Sequence, residues 1–295
     1  MGTGSAQAWH GLGSCAVGAQ VLGRAACWCA AVAGLAIVLN SVSAEASPRC
    51  QAPAALLRFD APLPKFSAAL AAGRPVRIVA LGSSSTQGIG ASSPKACYPV
   101  KLQAELQQRF PQNKILVENL GIGGQLASDM LQRIKKDVIP RKPTLVIWQT
   151  GVNDALRFVP VDKFRETVVT GIDLLQRAGI DVVLLDMQYF PKAEKVRDFP
   201  RFLVAMRQIA EQRRIPILQR FAIMKHFVTS AQYTPQQLLA ADQFHPNDLS
   251  YRCLGRMMAD ALEGEVADVA KTAVKAKHPA EPAKQAGAVA PLPVH

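Results

Sequence analysis

Five short apolar runs, rich in β-branched residues, recur between residues 76 and 218, with an amphipathic stretch between each pair. They are Val76–Leu81, Ile115–Glu118, Leu145–Gln149, Asp181–Met187 and Ile215–Leu218. Strands that are apolar on both faces need cover on both sides, and strands that alternate with helices are joined by crossovers. The pattern therefore predicts an α/β fold: a five-stranded parallel sheet between two helical layers. The intervening helices are expected over Tyr98–Phe110, Ala127–Ile139, Asp162–Ala178 and Pro200–Arg213. A composition of 49% hydrophobic and 19% charged residues excludes a disordered chain.

The two ends differ from this core. Residues 1–24 hold one charge, Arg24, and Ala25–Leu39 is uncharged and apolar over 15 residues. Val42 and Ala44 satisfy the small-residue rule of a signal-peptidase site. Residues 1–44 thus read as a signal peptide, since the apolar run falls short of the ~20 residues that span a bilayer. The competing reading is an uncleaved anchor. The expected location is periplasmic or secreted, without stable membrane insertion after cleavage. Gly264–His295 is rich in Ala, Lys and Pro, has no aromatic residue, and reads as a flexible tail. That leaves residues 48–263 as one folded domain. The net charge of +12 contains no dense Lys/Arg run, which argues against nucleic acid as a partner.

Small and polar residues follow four of the five runs. Gly82-Ser83-Ser84-Ser85-Thr86-Gln87-Gly88 follows the first and Asn119-Leu120-Gly121-Ile122-Gly123-Gly124 the second. Gly151-Val152-Asn153-Asp154 follows the third, and Asp242-Gln243-Phe244-His245-Pro246 comes after the fifth and a helical excursion. In a parallel sheet the carboxyl ends of the strands share one edge, where ligands bind. The set suits acyl transfer. A serine hydroxyl needs a base, histidine is the usual base near neutral pH, and an acid can orient the imidazole. Glycine and asparagine N–H groups can hold the oxyanion. Each motif alone would pass for a turn, a helix cap or a solvated acid, and Gly82–Gly88 lacks the ending of a P-loop. Their joint order carries the argument.

On these residues the chain resembles the SGNH hydrolases, or GDSL esterase/lipase superfamily, over roughly residues 76–262. Gly82-Ser83-Ser84-Ser85 stands where that family has Gly-Asp-Ser-Leu, so the resemblance makes Ser84 the nucleophile, with Ser83 and Ser85 as close rivals. It makes His245 the base and Asp242 its partner. It implies an oxyanion hole from the Ser84 and Gly124 N–H groups and the Asn153 side chain. It also implies a flavodoxin-like sheet of order 2-1-3-4-5, with no metal and no cofactor. Two departures stand out: Ser83 replaces the usual aspartate and Ser85 the usual leucine.

The expected function is an exported serine esterase acting on short acyl groups, such as O-acetyl on a small-molecule or glycan ester. Lysophospholipase or thioesterase action and polysaccharide O-acyl transfer are the alternatives. His226, in a helix-like stretch, reads as a surface or packing residue. The segment Tyr189–Arg201 reads as a solvated basic loop, or less simply as a rim for an anionic or carbohydrate substrate. Three cysteines follow the leader. An exported protein can hold a disulfide, and in this topology the last helix returns beside the first strand. The expected bond is Cys50–Cys253 with Cys97 free, and the rival is Cys50–Cys97.

Overall fold

Residues that cannot be left in water on either face collect into one sheet. The structure, a computed structural model, describes residues 50–277. Within them β1 (Val76–Gly82), β2 (Ile115–Gly121), β3 (Leu145–Gln149), β4 (Asp181–Leu185) and β5 (Ile217–Leu218) pair in parallel, in the order β2-β1-β3-β4-β5. Central β3 and β4 are buried at every position. Edge strand β2 buries Ile115 and Val117 and exposes Leu116 between them. The burial pattern of each strand thus follows its place in the sheet.

The nine helices used below are α1 (Pro64–Ala71), α2 (Ser84–Gln87), α3 (Tyr98–Arg109), α4 (Ala127–Arg133), α5 (Val152–Leu156), α6 (Val161–Arg177), α7 (Phe199–Arg213), α8 (Arg220–Thr229) and α9 (Asp248–Lys277). α9 packs on α3 and α1, while α6 packs on α4 and α7. The sheet lies between these layers, and Phe66, Leu102, Trp148, Val168 and Met206 are all fully buried.

Several boundaries differ from the sequence reading. β2 runs on to Gly121, because its register with β1 continues to the Gly82–Gly121 pair. β5 is reduced to Ile217–Leu218, and Pro216, which has no N–H to donate, stands just before it. The helix expected to reach Ile139 is α-helical only to Arg133, and a wider π-turn over Ile134–Val138 precedes Pro140.

The largest correction is at the carboxyl end. The tail was expected to begin at Gly264, yet α9 continues to Lys277. Glu265 is buried and accepts a hydrogen bond from the Leu63 N–H at 2.9 Å, and Val266 packs on the core. These contacts offset a mid-helix glycine, which costs about 1 kcal/mol relative to alanine. The remaining tail residues and the expected signal peptide lie outside the described residues. No helix among the described residues is long and apolar enough to cross a membrane.

Of the two cysteine pairings considered, the structure contains Cys50–Cys253, with Cα atoms 5.3 Å apart, and Cys97 is a buried free thiol. The bond closes a sequence separation of 203 residues. In the chain-entropy model such a loop stabilises by roughly 5 kcal/mol, a figure that ignores native strain. Cys50→Ser should lower the unfolding free energy by about 2–5 kcal/mol. Urea denaturation with and without reductant checks this. Reduced wild type should fall to the variant's midpoint, and a wild type indifferent to reductant would refute the claim.

Candidate active site

The Ser83-Ser84-Ser85 turn sits where β1 ends and α2 begins. Ser84 is the first residue of that single-turn helix. Its two neighbours are held from opposite sides. Gln149, buried at the end of β3, accepts through one oxygen from the Ser83 N–H at 3.0 Å, the Ser83 hydroxyl at 3.2 Å and the Thr86 hydroxyl at 3.1 Å. Arg220, the first residue of α8, donates to the Ser85 hydroxyl at 3.0 Å. It also donates to the Asp186 carbonyl at 3.0 Å and to the Gln188 side chain at 3.1 Å. Of the three serines, Ser84 alone has its Oγ on His245, 2.9 Å from Nε2. Ser83 and Ser85 are fastened elsewhere.

The loop carrying His245 is folded by the acid itself. Asp242 Oδ1 accepts from the Phe244 N–H at 3.0 Å and the His245 N–H at 2.9 Å, while Oδ2 meets His245 Nδ1 at 2.5 Å. Burial works to raise the Asp242 carboxyl. The His245 ring and the two backbone N–H groups outweigh it and hold the carboxyl below its usual range. The imidazole is steadied by Phe244, edge-on with centroids 4.7 Å apart, and Phe244 in turn meets Phe190 from the segment after β4. The Tyr189–Arg201 segment therefore has two sides. Phe190 and Phe199 are core residues, while Lys192, Lys195, Arg197 and Arg201 are exposed. Arg197 and Arg201 pair with Asp198. His226 lies partly buried in α8.

The loop after β2 is drawn against the turn that carries Ser84. Asn119 donates to the Thr86 carbonyl at 2.8 Å and accepts from the Gly121 N–H at 2.9 Å, and Gln87 Oε1 accepts from the Gly123 N–H at 2.7 Å. Gly121 has to be glycine, since a Cβ there would stand 2.1 Å from the Gln87 amide nitrogen. Gly124 follows with φ +76°, a left-handed conformation that favours glycine. Asn153, in α5, donates its Nδ2 to the Gln125 carbonyl at 2.8 Å, which ties the β3 side of the site to the glycine loop. Asp154 is buried behind it, accepting from the Ala127 N–H at 3.2 Å, and burial pushes its carboxyl up to about 6. Ser84, Gly124, Asn153, Asp242 and His245 thus lie at the carboxyl edge of the sheet. Among the described residues no group of three or more His, Cys, Asp or Glu is placed to hold a metal.

The model of the non-GDSL lipase-like family matches residues 49–268. The chain belongs to that family. The family's description accords with a turn that reads Ser-Ser-Ser after Gly82 and not Asp-Ser-Leu. None of the curated proteins matches by sequence. Among solved structures, a two-domain esterase active on acetylated mannans, co-crystallised with mannopentaose, is 22% identical with a TM-score of 0.60, covering 72% of this chain and 56% of its own. This non-GDSL lipase-like chain therefore spans little more than half of that esterase. An acetyl xylan esterase from Geobacillus stearothermophilus is 21% identical with a TM-score of 0.56, covering 64% of this chain and 96% of its own. TesA is 21% identical with a TM-score of 0.55, covering 64% and 99%. At these identities the likeness is one of fold.

Two residues that hold the turn escaped the sequence reading: Gln149 and Arg220. Gln149 left a trace as the polar residue that ends the otherwise apolar run Leu145–Gln149, and Arg220 as a charged residue two positions after the run Ile215–Leu218. A buried arginine needs partners. Burial pulls the Arg220 guanidinium below its usual range, and burial also pushes the neighbouring Asp186 carboxyl up to about 7, against the opposing pull of the Phe221 N–H and Arg220.

Proposed function

We propose that this non-GDSL lipase-like protein is an exported serine esterase that removes short acyl groups, O-acetyl on glycans being the foremost case. The observation that carries the reading is the chain of contacts from Asp242 through His245 to the Ser84 hydroxyl. The hydrogen bond from Ser84 Oγ to His245 Nε2 lets the imidazole take the proton as Oγ attacks the ester carbonyl carbon. Asp242 holds Nδ1–H and stabilises the imidazolium. The carbonyl oxygen becomes an oxyanion, met by the Ser84 and Gly124 N–H groups and the Asn153 amide. His245 then gives its proton to the departing alcohol oxygen, leaving acyl-Ser84. Water, deprotonated by His245, attacks the acyl carbon, and the carboxylic acid leaves as Ser84 regains its proton.

Two further points support the finer reading. The structural neighbours include esterases whose substrates are acetylated mannans and xylans. The Cys50–Cys253 bond suits an oxidising compartment, in keeping with the export-like segment at residues 1–44. A nitrophenyl ester series from acetate to dodecanoate, with and without acceptor glycan, tests it. The expected kcat/KM is highest for acetate and falls steadily with chain length, with free acetate as product. A maximum at long chains would make it a lysophospholipase or thioesterase. Acetyl appearing on the glycan instead of water would make it a transferase.

A further inference from the structure

An open groove of about 530 Å³ adjoins the glycine loop, bordered by Gly124, Gln125, Asp129, Arg133, Lys136 and Arg157 among others. Its charges are not equally committed. Arg133 is spent on Asp137, the Leu120 carbonyl and the Gln125 side chain. Asp129 is spent on the Leu126 N–H. The side chains of Arg157 and Lys136 are exposed and have no hydrogen-bond or ion-pair partner among the described residues. Asp137 is neutralised by Arg133, and the two unpaired cations, Arg157 and Lys136, outnumber the one acid without a cation partner, Asp129, so the lining is net positive.

Arg157 is placed by the same short helix as Asn153. The two are four residues apart, and the Arg157 N–H donates to the Asn153 carbonyl at 2.9 Å, so their side chains leave one face of α5. The guanidinium reaches the glycine loop: a Cβ on Gly124 would lie 3.3 Å from Arg157 Nη2. A planar, unpaired cation thus stands beside two of the groups assigned above to the oxyanion hole.

We infer that Arg157, with Lys136, forms a subsite for a carboxylate on the alcohol portion of the substrate, so that the preferred ester is an O-acetylated acidic glycan. This rests on the short-acyl reading above. An acetyl group fills only a small part of such a groove, which leaves it to the alcohol portion. Guanidinium matches a carboxylate with two parallel charge-assisted hydrogen bonds, roughly twice as strong as those it makes to the neutral hydroxyls of a sugar. The excess of 34 Lys+Arg over 22 Asp+Glu favours approach of a polyanion as well.

The test compares acetylated oligogalacturonate with acetylated oligogalactan of equal length and acetyl content, using purified full chain. Wild type should favour the acidic substrate in kcat/KM by about tenfold or more, the size of effect that charge-assisted pairing gives. The ratio should shrink as salt rises. Arg157→Gln should bring it near one, and Arg157→Lys should restore part of it. Equal rates on the two glycans, or a preference that survives Arg157→Gln, would overturn the inference while leaving the esterase reading intact. Absence of any nitrophenyl acetate hydrolysis by wild type would instead remove the esterase reading. A larger Arg157→Gln effect on a lysophospholipid than on the glycan would reassign the subsite to a phosphate headgroup.

Discussion

Replacing Ser84 by alanine is expected to lower kcat by about 10⁴-fold or more while leaving the thermal unfolding curve nearly unchanged. The hydroxyl is the attacking atom in the proposed reaction, and its hydrogen bond is to a catalytic partner and not to the scaffold. What remains after its loss is the rate enhancement from the oxyanion donors and substrate binding. Ser83→Ala and Ser85→Ala delete scaffold bonds to Gln149 and Arg220 instead. Each should cost stability, on the order of 1 kcal/mol or somewhat more for the bond to the charged Arg220, with a loss of rate far smaller than that of Ser84→Ala. Initial rates on nitrophenyl acetate beside thermal melts of the three variants read both effects. An active Ser84→Ala beside an inactive neighbour would mean that a different serine attacks.

The second large effect is expected from Asn153→Ala, a fall in kcat of about 100- to 1,000-fold with KM little altered. Removing one preorganised oxyanion donor has this size because the donor meets charge that exists only in the transition state. The Asn153 amide carries two N–H bonds. The Gln125 carbonyl holds one, which fixes the plane of the amide before substrate arrives. Asn153→Asp keeps the shape but replaces the donor with an acceptor, so it should be as impaired as alanine. Steady-state kinetics on nitrophenyl acetate separate the possibilities. A raised KM with normal kcat in both variants would make Asn153 a ground-state binding residue.

The sheet was legible in the sequence because its strands are apolar on both faces, which few other architectures allow. Its order followed from the resemblance, and β1 does lie between β2 and β3. Within Gly82–Gly88 the residues alone did not say which serine faces the base. That depends on Gln149 and Arg220, which lie 66 and 135 residues away from Ser83 and Ser85 and come near only through the fold. The end of the domain misled for a different reason. Alanine and lysine are frequent in solvated tails and are also strong helix formers. The burial of Glu265, its bond to Leu63 and the packing of Val266 decide between the two over residues 264–277. Arg157 drew no reading from the sequence, since its neighbour Gly124 is supplied by a different strand's loop.

The Cys50–Cys253 bond joins the first described residue to the helix that follows His245, so that everything from Ser84 to His245 lies on one covalent ring. A single cut by a protease in any surface loop of that ring opens it without dividing it. The two pieces stay tethered, and the cut ends remain at high local concentration for each other. Traction on the segments outside the ring is likewise carried across the sulfur atoms and past the sheet, so the strands that hold Ser84 bear little of the load. Such a molecule can be nicked or tugged at its ends and keep its working parts in register, until a reductant opens the ring.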